Sequence, residues 1–230
     1  MSAIRDNIET VRRRIRAAAE RAGRDPDTIG LVAVSKTVSV ERVAEAIDAG
    51  IDCLGENYIQ EAREKIDALA DRRVAWHFIG HLQSNKAKFA VSYFDLIHSV
   101  DRVNLAREID KQAARIGKIQ PVLIQVNISE EATKSGITAA ETIELAQTIS
   151  TFPHLFIRGL MTMPPFFDDP ERARPFFRVL SNLKDRIASE NIAGVAMEEL
   201  SMGMTGDFET AIEEGATRVR VGSAMFGKRL

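Results

Sequence analysis

The sequence predicts an α/β protein: eight parallel strands closed into a (β/α)8 barrel, with one extra helix in front. Three observations carry this. Short apolar runs and amphipathic segments alternate, and the pair recurs eight times. No stretch rich in Gly, Pro or Ser interrupts the alternation, so residues 1–230 read as one domain. Chemically able residues also follow the apolar runs directly, where a TIM-type barrel keeps its functional groups. An open doubly wound sheet is the competing arrangement; eight units in roughly 200 residues favour the closed one, at the short end of its range.

The N-terminal helix is expected over 3–22. Ile4, Ile8, Val11 and Ile15 recur at helical spacing among arginines, and Arg24-Asp25-Pro26 ends it. The barrel then occupies about 29–230. Its first run, 30–36, holds Leu31-Val32-Ala33-Val34 and ends in Lys36. A helix follows from Val40 to Ala49, with Ser39 as its cap and Gly50 as its stop. The second run is 53–57, with a helix through Leu69. The third is 75–80, with a helix near 84–91. The fourth is 96–100, with a helix over 102–116. The fifth is 121–127; Thr138 and Glu141 form a capping box for a helix through Ile149. The sixth is 156–161. Asp169-Pro170 then caps a helix with Phe176, Leu180, Leu183 and Ile187 on its inner face. The seventh run is 199–202, before a helix over 207–214. The eighth is 217–222, with no helix expected after it.

Composition narrows the function. Apolar residues make up 45% of the chain, enough for a packed core. The net charge of −2 argues against nucleic-acid or anionic-membrane partners. The single cysteine, Cys53, allows no internal disulfide and reads as a small buried hydrophobe. No apolar run spans a bilayer. Arg5, Asp6 and Glu9 stand where a signal peptide would be apolar, so the cytosol is expected.

The seven residues from Gly222 to Lys228 copy the start of a phosphate-binding P-loop. Arg229 follows where Ser or Thr is required, so nucleotide hydrolysis is rejected. His77 and His81 are four apart, but one lies in a strand run and Gly80 separates them. Without further ligands they read as hydrogen-bonded histidines, not a metal pair. The ends of the last two runs carry more. A barrel's common phosphate site follows strands seven and eight. Those segments are Ser201-Met202-Gly203-Met204-Thr205-Gly206 and Gly222-Ser223-Ala224. Small residues there let backbone N–H groups approach a dianion, and hydroxyls add donors. Arg220 alternates onto the same side as Gly222, and an inward guanidinium needs an acceptor. An amine on strand one, an anion cradle on strands seven and eight and an arginine between them suit pyridoxal 5'-phosphate. It offers an aldehyde, a phosphate and a ring nitrogen. A sugar phosphate with a carbonyl, as in a lysine-dependent aldolase, suits the same residues.

The stretches LVAVSKT (31–37), GENYIQE (55–61), HFIGHLQSNK (77–86), VNI…KSG (126–136), RGLMTM (158–163), LSMGMTGDFETAI (200–212) and TRVRVGSAMFGKR (217–229) resemble the pyridoxal phosphate homeostasis proteins, alanine-racemase-like barrels. The resemblance implies that Lys36 forms the internal aldimine. It implies that Ser201, Thr205, Gly222 and Ser223 surround the phosphate, that Arg220 faces the pyridine nitrogen, and that Asn57 lies near the ring. Thr205 stands where Ser is frequent and Met225 where Ile is frequent.

The function implied is binding pyridoxal phosphate and handing it on, to pyridoxal-phosphate-requiring apoenzymes among others. Vitamin B6 and amino-acid pools thereby stay balanced without robust catalysis. The alternative is a pyridoxal-phosphate-dependent amino-acid racemase of low activity. Racemases of this barrel type carry a second domain, and here the chain stops after strand eight. The only tyrosines, Tyr58 and Tyr93, fall early in predicted helices, so no acid opposite Lys36 is evident. A monomer is expected.

Overall fold

The computed structural model describes residues 3–131 and 134–227. Eight parallel strands form a closed barrel in sequence order. They are β1 (Gly30–Val34), β2 (Cys53–Glu56), β3 (Ala75–Phe78), β4 (Leu96–Val100), β5 (Gln120–Gln125), β6 (Leu155–Met161), β7 (Val195–Ser201) and β8 (Arg218–Val221). Closure is the pairing of β1 with β8, in register from Gly30↔Arg218 to Ala33↔Val221. The expected barrel is therefore the observed one. Among the described residues no helix is long and apolar enough to cross a membrane.

The helices are α1 (Ala3–Arg21), α2 (Val40–Asp48), α3 (Ile59–Ala68), α4 (Ala87–Tyr93), α5 (Val103–Arg115), α6 (Thr142–Ser150), α7 (Arg174–Ser189), α8 (Phe208–Glu213) and α9 (Ser223–Phe226). Alternation along each strand separates two cores. Ala33, Leu54, Phe78, Ile97, Ile124, Leu200 and Val219 join the main core shared with the helices. Leu96, Leu123 and Met161 form a separate cluster within the barrel. α1 buries Ile4, Ile8, Val11 and Ile15. Arg14 and Arg21 tie it to Glu209 and Glu213 near α8.

Four local expectations differ from the structure. β7 starts at Val195, because Met197 and Glu199 already alternate inward with a charged residue between them. Glu199, the first residue of the expected run, is buried against Arg218 and Arg158. The buried face of α7 uses Phe177, with Leu180, Leu183 and Ile187. Phe176 instead stacks on Phe167 with ring centroids 5.8 Å apart. The Thr138–Glu141 box forms, but as a turn ahead of α6, which starts at Thr142. A single helical turn, α9, follows Gly222 where none was expected. Lys228 and Arg229 lie outside the described residues.

Candidate functional site

The C-terminal mouth of the barrel holds a cavity of about 260 Å³. That is just below the roughly 300–1,000 Å³ of drug-sized ligand sites, and suits one small aromatic ring with a substituent. Its walls are built strand by strand. Val34 and Lys36 come from the end of β1, Asn57 from β2 and Ile79 from β3. Met163, Phe166 and Phe167 come from the segment after β6. Met204, Thr205, Gly206 and Asp207 follow β7; Arg220, Gly222 and Ser223 belong to β8 and its end. Six of the seven residues singled out from sequence thus meet in one cavity. Ser201 does not line it. It is fully buried, and its hydroxyl is engaged by Arg220 and His98.

Lys36 is placed by its neighbours. On the outer side of β1, Ser35 donates its hydroxyl to Glu56 at 2.6 Å. Lys65 on α3 bonds the Ser35 carbonyl at 2.5 Å and both Glu56 and Glu61 at 2.7 Å. Burial pushes the Glu56 carboxyl up, and its hydrogen bonds from Lys65 and Ser35 oppose that. Thr37 follows at φ 61°, a left-handed conformation rarely taken by a β-branched residue. Its N–H bonds Glu61, which holds the turn.

On the neighbouring strand β8, Arg220 is only 3% exposed. Its Nη1 donates to Ser201 Oγ at 2.7 Å and its Nη2 to the Thr162 carbonyl at 2.9 Å. Burial pushes its pKa down to about 10, with Asp207 opposing, so it stays a cation at neutral pH. The segment after β7 is shaped for an anion. Gly203 has φ 87°, and a Cβ there would lie 2.6 Å from Ala211 and 2.9 Å from the Phe208 backbone. Asp207 accepts the Met204 N–H at 2.6 Å, which turns Thr205 and Gly206 into the cavity. Ser223 Oγ lies 3.3 Å from Thr205 Oγ1, so two hydroxyls share one corner.

Asn57 is set by a close approach. A Cβ on Gly80 would sit 2.3 Å from the Asn57 carbonyl, so only glycine lets β3 turn past β2 there. Asn57 Oδ1 is buried and has no hydrogen-bond partner. An acceptor left in this way on a cavity wall is matched by a ligand that brings a donor. With an amine, a fixed cation and paired hydroxyls on one small cavity, the residues fit pyridoxal phosphate.

Two histidines were not connected to this site by the sequence. His77 and His98 point into the barrel and bond each other at 3.0 Å. His81 lies elsewhere, 3.1 Å from Ser135. The i, i+4 pair therefore does not form, and no group of three or more metal-ligating side chains exists among the described residues. Asp207, Thr162 and the apolar wall of Met163, Phe166 and Phe167 were also missed. Their only signal was position just after a strand.

A parallel barrel carrying a lysine, a buried arginine and an anion corner at its mouth falls in the class of alanine racemase N-terminal domains. The alanine racemase N-terminal domain family matches residues 1–229. The pyridoxal phosphate homeostasis protein of Aquifex aeolicus is 45% identical, covering 97% of each chain. That of Vibrio alginolyticus is 44% identical, covering 100% of this chain and 99% of its own. The solved structure of PipY from Synechococcus elongatus, with pyridoxal phosphate bound, is 32% identical with a TM-score of 0.86. It matches over 97% of this chain and 100% of its own. This chain belongs to the pyridoxal phosphate homeostasis protein family.

Proposed function

We propose that this protein binds pyridoxal 5'-phosphate at the barrel mouth, stores it and releases it intact in the cytosol, without robust catalysis of its own. The observation that carries this is the joint placement of Lys36, Arg220, Thr205 and Ser223 on one cavity of matching size. The family's name and the pyridoxal phosphate in PipY support it. When bound, pyridoxal phosphate supplies an aldehyde and an electron-accepting ring.

This chain's residues do the rest. Lys36 provides the amine that holds the aldehyde covalently. Thr205 and Ser223 donate hydroxyls, and Gly206 and Gly222 leave backbone N–H groups open, at the phosphate. Arg220 can only donate, so it faces the ring nitrogen without giving it a proton, which weakens the ring as an electron sink. Two-sided proton transfer needs a second acid or base opposite Lys36. Tyr58 is 58% exposed and sits in an adjoining cavity, while Tyr93 packs on the main core.

The test uses purified protein with added pyridoxal phosphate. A near-visible absorbance band should form, and borohydride reduction should leave the label on Lys36. Deuterium incorporation at the α-carbon of alanine, with chiral analysis, should show no turnover at ordinary rates. Racemisation at roughly 1–10³ per second would make this a compact racemase.

A further inference from the structure

We propose that His77, His98 and Ser201 form a one-way hydrogen-bond chain that holds the Arg220 guanidinium at the cavity wall, making Ser201 and His98 positioning residues for Arg220 and not donors to the ligand's anionic end. The binding arm of the test rests on the pyridoxal phosphate reading above; the spectroscopic arm does not.

The chain is continuous. Arg220 Nη1 lies 2.7 Å from Ser201 Oγ, Ser201 Oγ 2.9 Å from His98 Nδ1, and His98 Nε2 3.0 Å from His77 Nδ1. All four side chains are 5% exposed or less. A guanidinium has no acceptor, so Ser201 Oγ must accept at that end. Two assignments then remain. In one, the Ser201 hydroxyl donates to His98 Nδ1, and His98 donates from Nε2 to His77 Nδ1. In the other, both bonds reverse, and His98 donates from Nδ1 to Ser201. The reversed form leaves the Ser201 proton buried with no acceptor among the described contacts. Buried donors are seldom left so. The forward form gives every proton between Arg220 and His77 an acceptor. It puts the terminal hydrogen on His77 Nε2, which is not among the fully buried polar atoms without a partner, and needs each imidazole to be neutral with its hydrogen on Nε2. Burial agrees with neutrality: it pushes His77 down to about 3 and His98 well below its ordinary value.

The consequence falls on the site. The fork of Arg220 is held at two points, Ser201 Oγ and the Thr162 carbonyl. A guanidinium gripped at both prongs cannot swing toward the hydroxyl corner at Thr205 and Ser223, and a point-charge lysine could not be gripped this way. Ser201 spends its only proton on His98 and has none for a phosphate. The chain thus fixes the Arg220 guanidinium through groups that do not involve Lys36.

Histidine tautomers are read by two-bond ¹H–¹⁵N correlation on ligand-free protein labelled with ¹⁵N-histidine. The expected result is hydrogen on Nε2 and a bare Nδ1 for both His77 and His98 at pH 7. Hydrogen on Nδ1 of His98 would overturn the chain. For binding, His98→Phe keeps the ring's bulk and removes the acceptor, whereas His98→Asn returns an acceptor near the Nδ1 position. His98→Phe and Ser201→Ala should each weaken pyridoxal phosphate and pyridoxal by the same factor, about tenfold, and His98→Asn should recover most of the loss. A loss confined to pyridoxal phosphate would return Ser201 to the phosphate, against the proposal; so would wild-type affinity for both ligands in a folded His98→Phe protein. If His98→Phe does not fold, the tautomers of the wild-type protein still decide. Failure of the wild-type protein to bind pyridoxal phosphate would refute the storage function while leaving the tautomer result standing.

Discussion

Lys36 and Thr205 show how much a single position can be asked to do. The backbone bonds beside Lys36, from the Lys65 ammonium to the Ser35 carbonyl and from the Thr37 N–H to Glu61, do not use the Lys36 side chain. Lys36→Ala should therefore abolish the borohydride-stable label and leave ligand-free stability within about 1 kcal/mol of wild type, as read by urea unfolding. Thr205 meets the cavity with its hydroxyl beside that of Ser223. Thr205→Ala should cost pyridoxal phosphate a charge-assisted hydrogen bond of roughly 1.5–3 kcal/mol, about 10- to 100-fold in Kd. Pyridoxal, lacking the phosphate, should bind almost unchanged in parallel titrations. Lys36 and Arg220 were legible in sequence because a charge within or just after an apolar strand needs a reason. Ser201 read in sequence as a phosphate contact, whereas it does not line the cavity and its hydroxyl is engaged by Arg220 and His98. Nothing in one strand tells that its hydroxyl is claimed by the arginine of the next.

Strand ends and their flanking turns carry the site, and they vary in how clearly the sequence marks them. β1 and β4 read directly, since all their residues are apolar or small apart from one buried histidine. β7 was cut short because the exposed Glu198 interrupts its apolar pattern, although Met197 before it is buried again. α9 was invisible because one helical turn gives no periodicity. The lock between β1, β2 and α3 lies at this scale. Lys65 is 2% exposed and its removal strands the buried Glu56 carboxylate. Lys65→Ala should destabilise the fold by about 3–5 kcal/mol, and adding Glu56→Gln should recover part of it. Urea unfolding of the single and double variants measures both; a loss under about 1 kcal/mol in the single variant would show that the lock contributes little.

The whole molecule should be acid-sensitive for a definite reason. In the unfolded chain a histidine takes up a proton near pH 6.5, whereas folded His77 resists until about 3 and His98 is held down further. Between those limits the unfolded state binds more protons, so stability is full above about pH 6.5 and falls as pH drops. Each histidine contributes up to about 1.4 kcal/mol per pH unit. Unfolding midpoints should decline from pH 7 to 5, and more shallowly in His98→Asn. The lock at Lys65 has a consequence at this scale too. It fastens the turn at Lys36 from outside the wall, using no atom that a guest inside the barrel could supply or withdraw. Under the proposed storage function the site would be drained and refilled many times. If Lys36 is the hook, it stays bolted to the hull whether or not cargo hangs from it, so unloading would leave a vessel ready for the next consignment rather than a collapsed one.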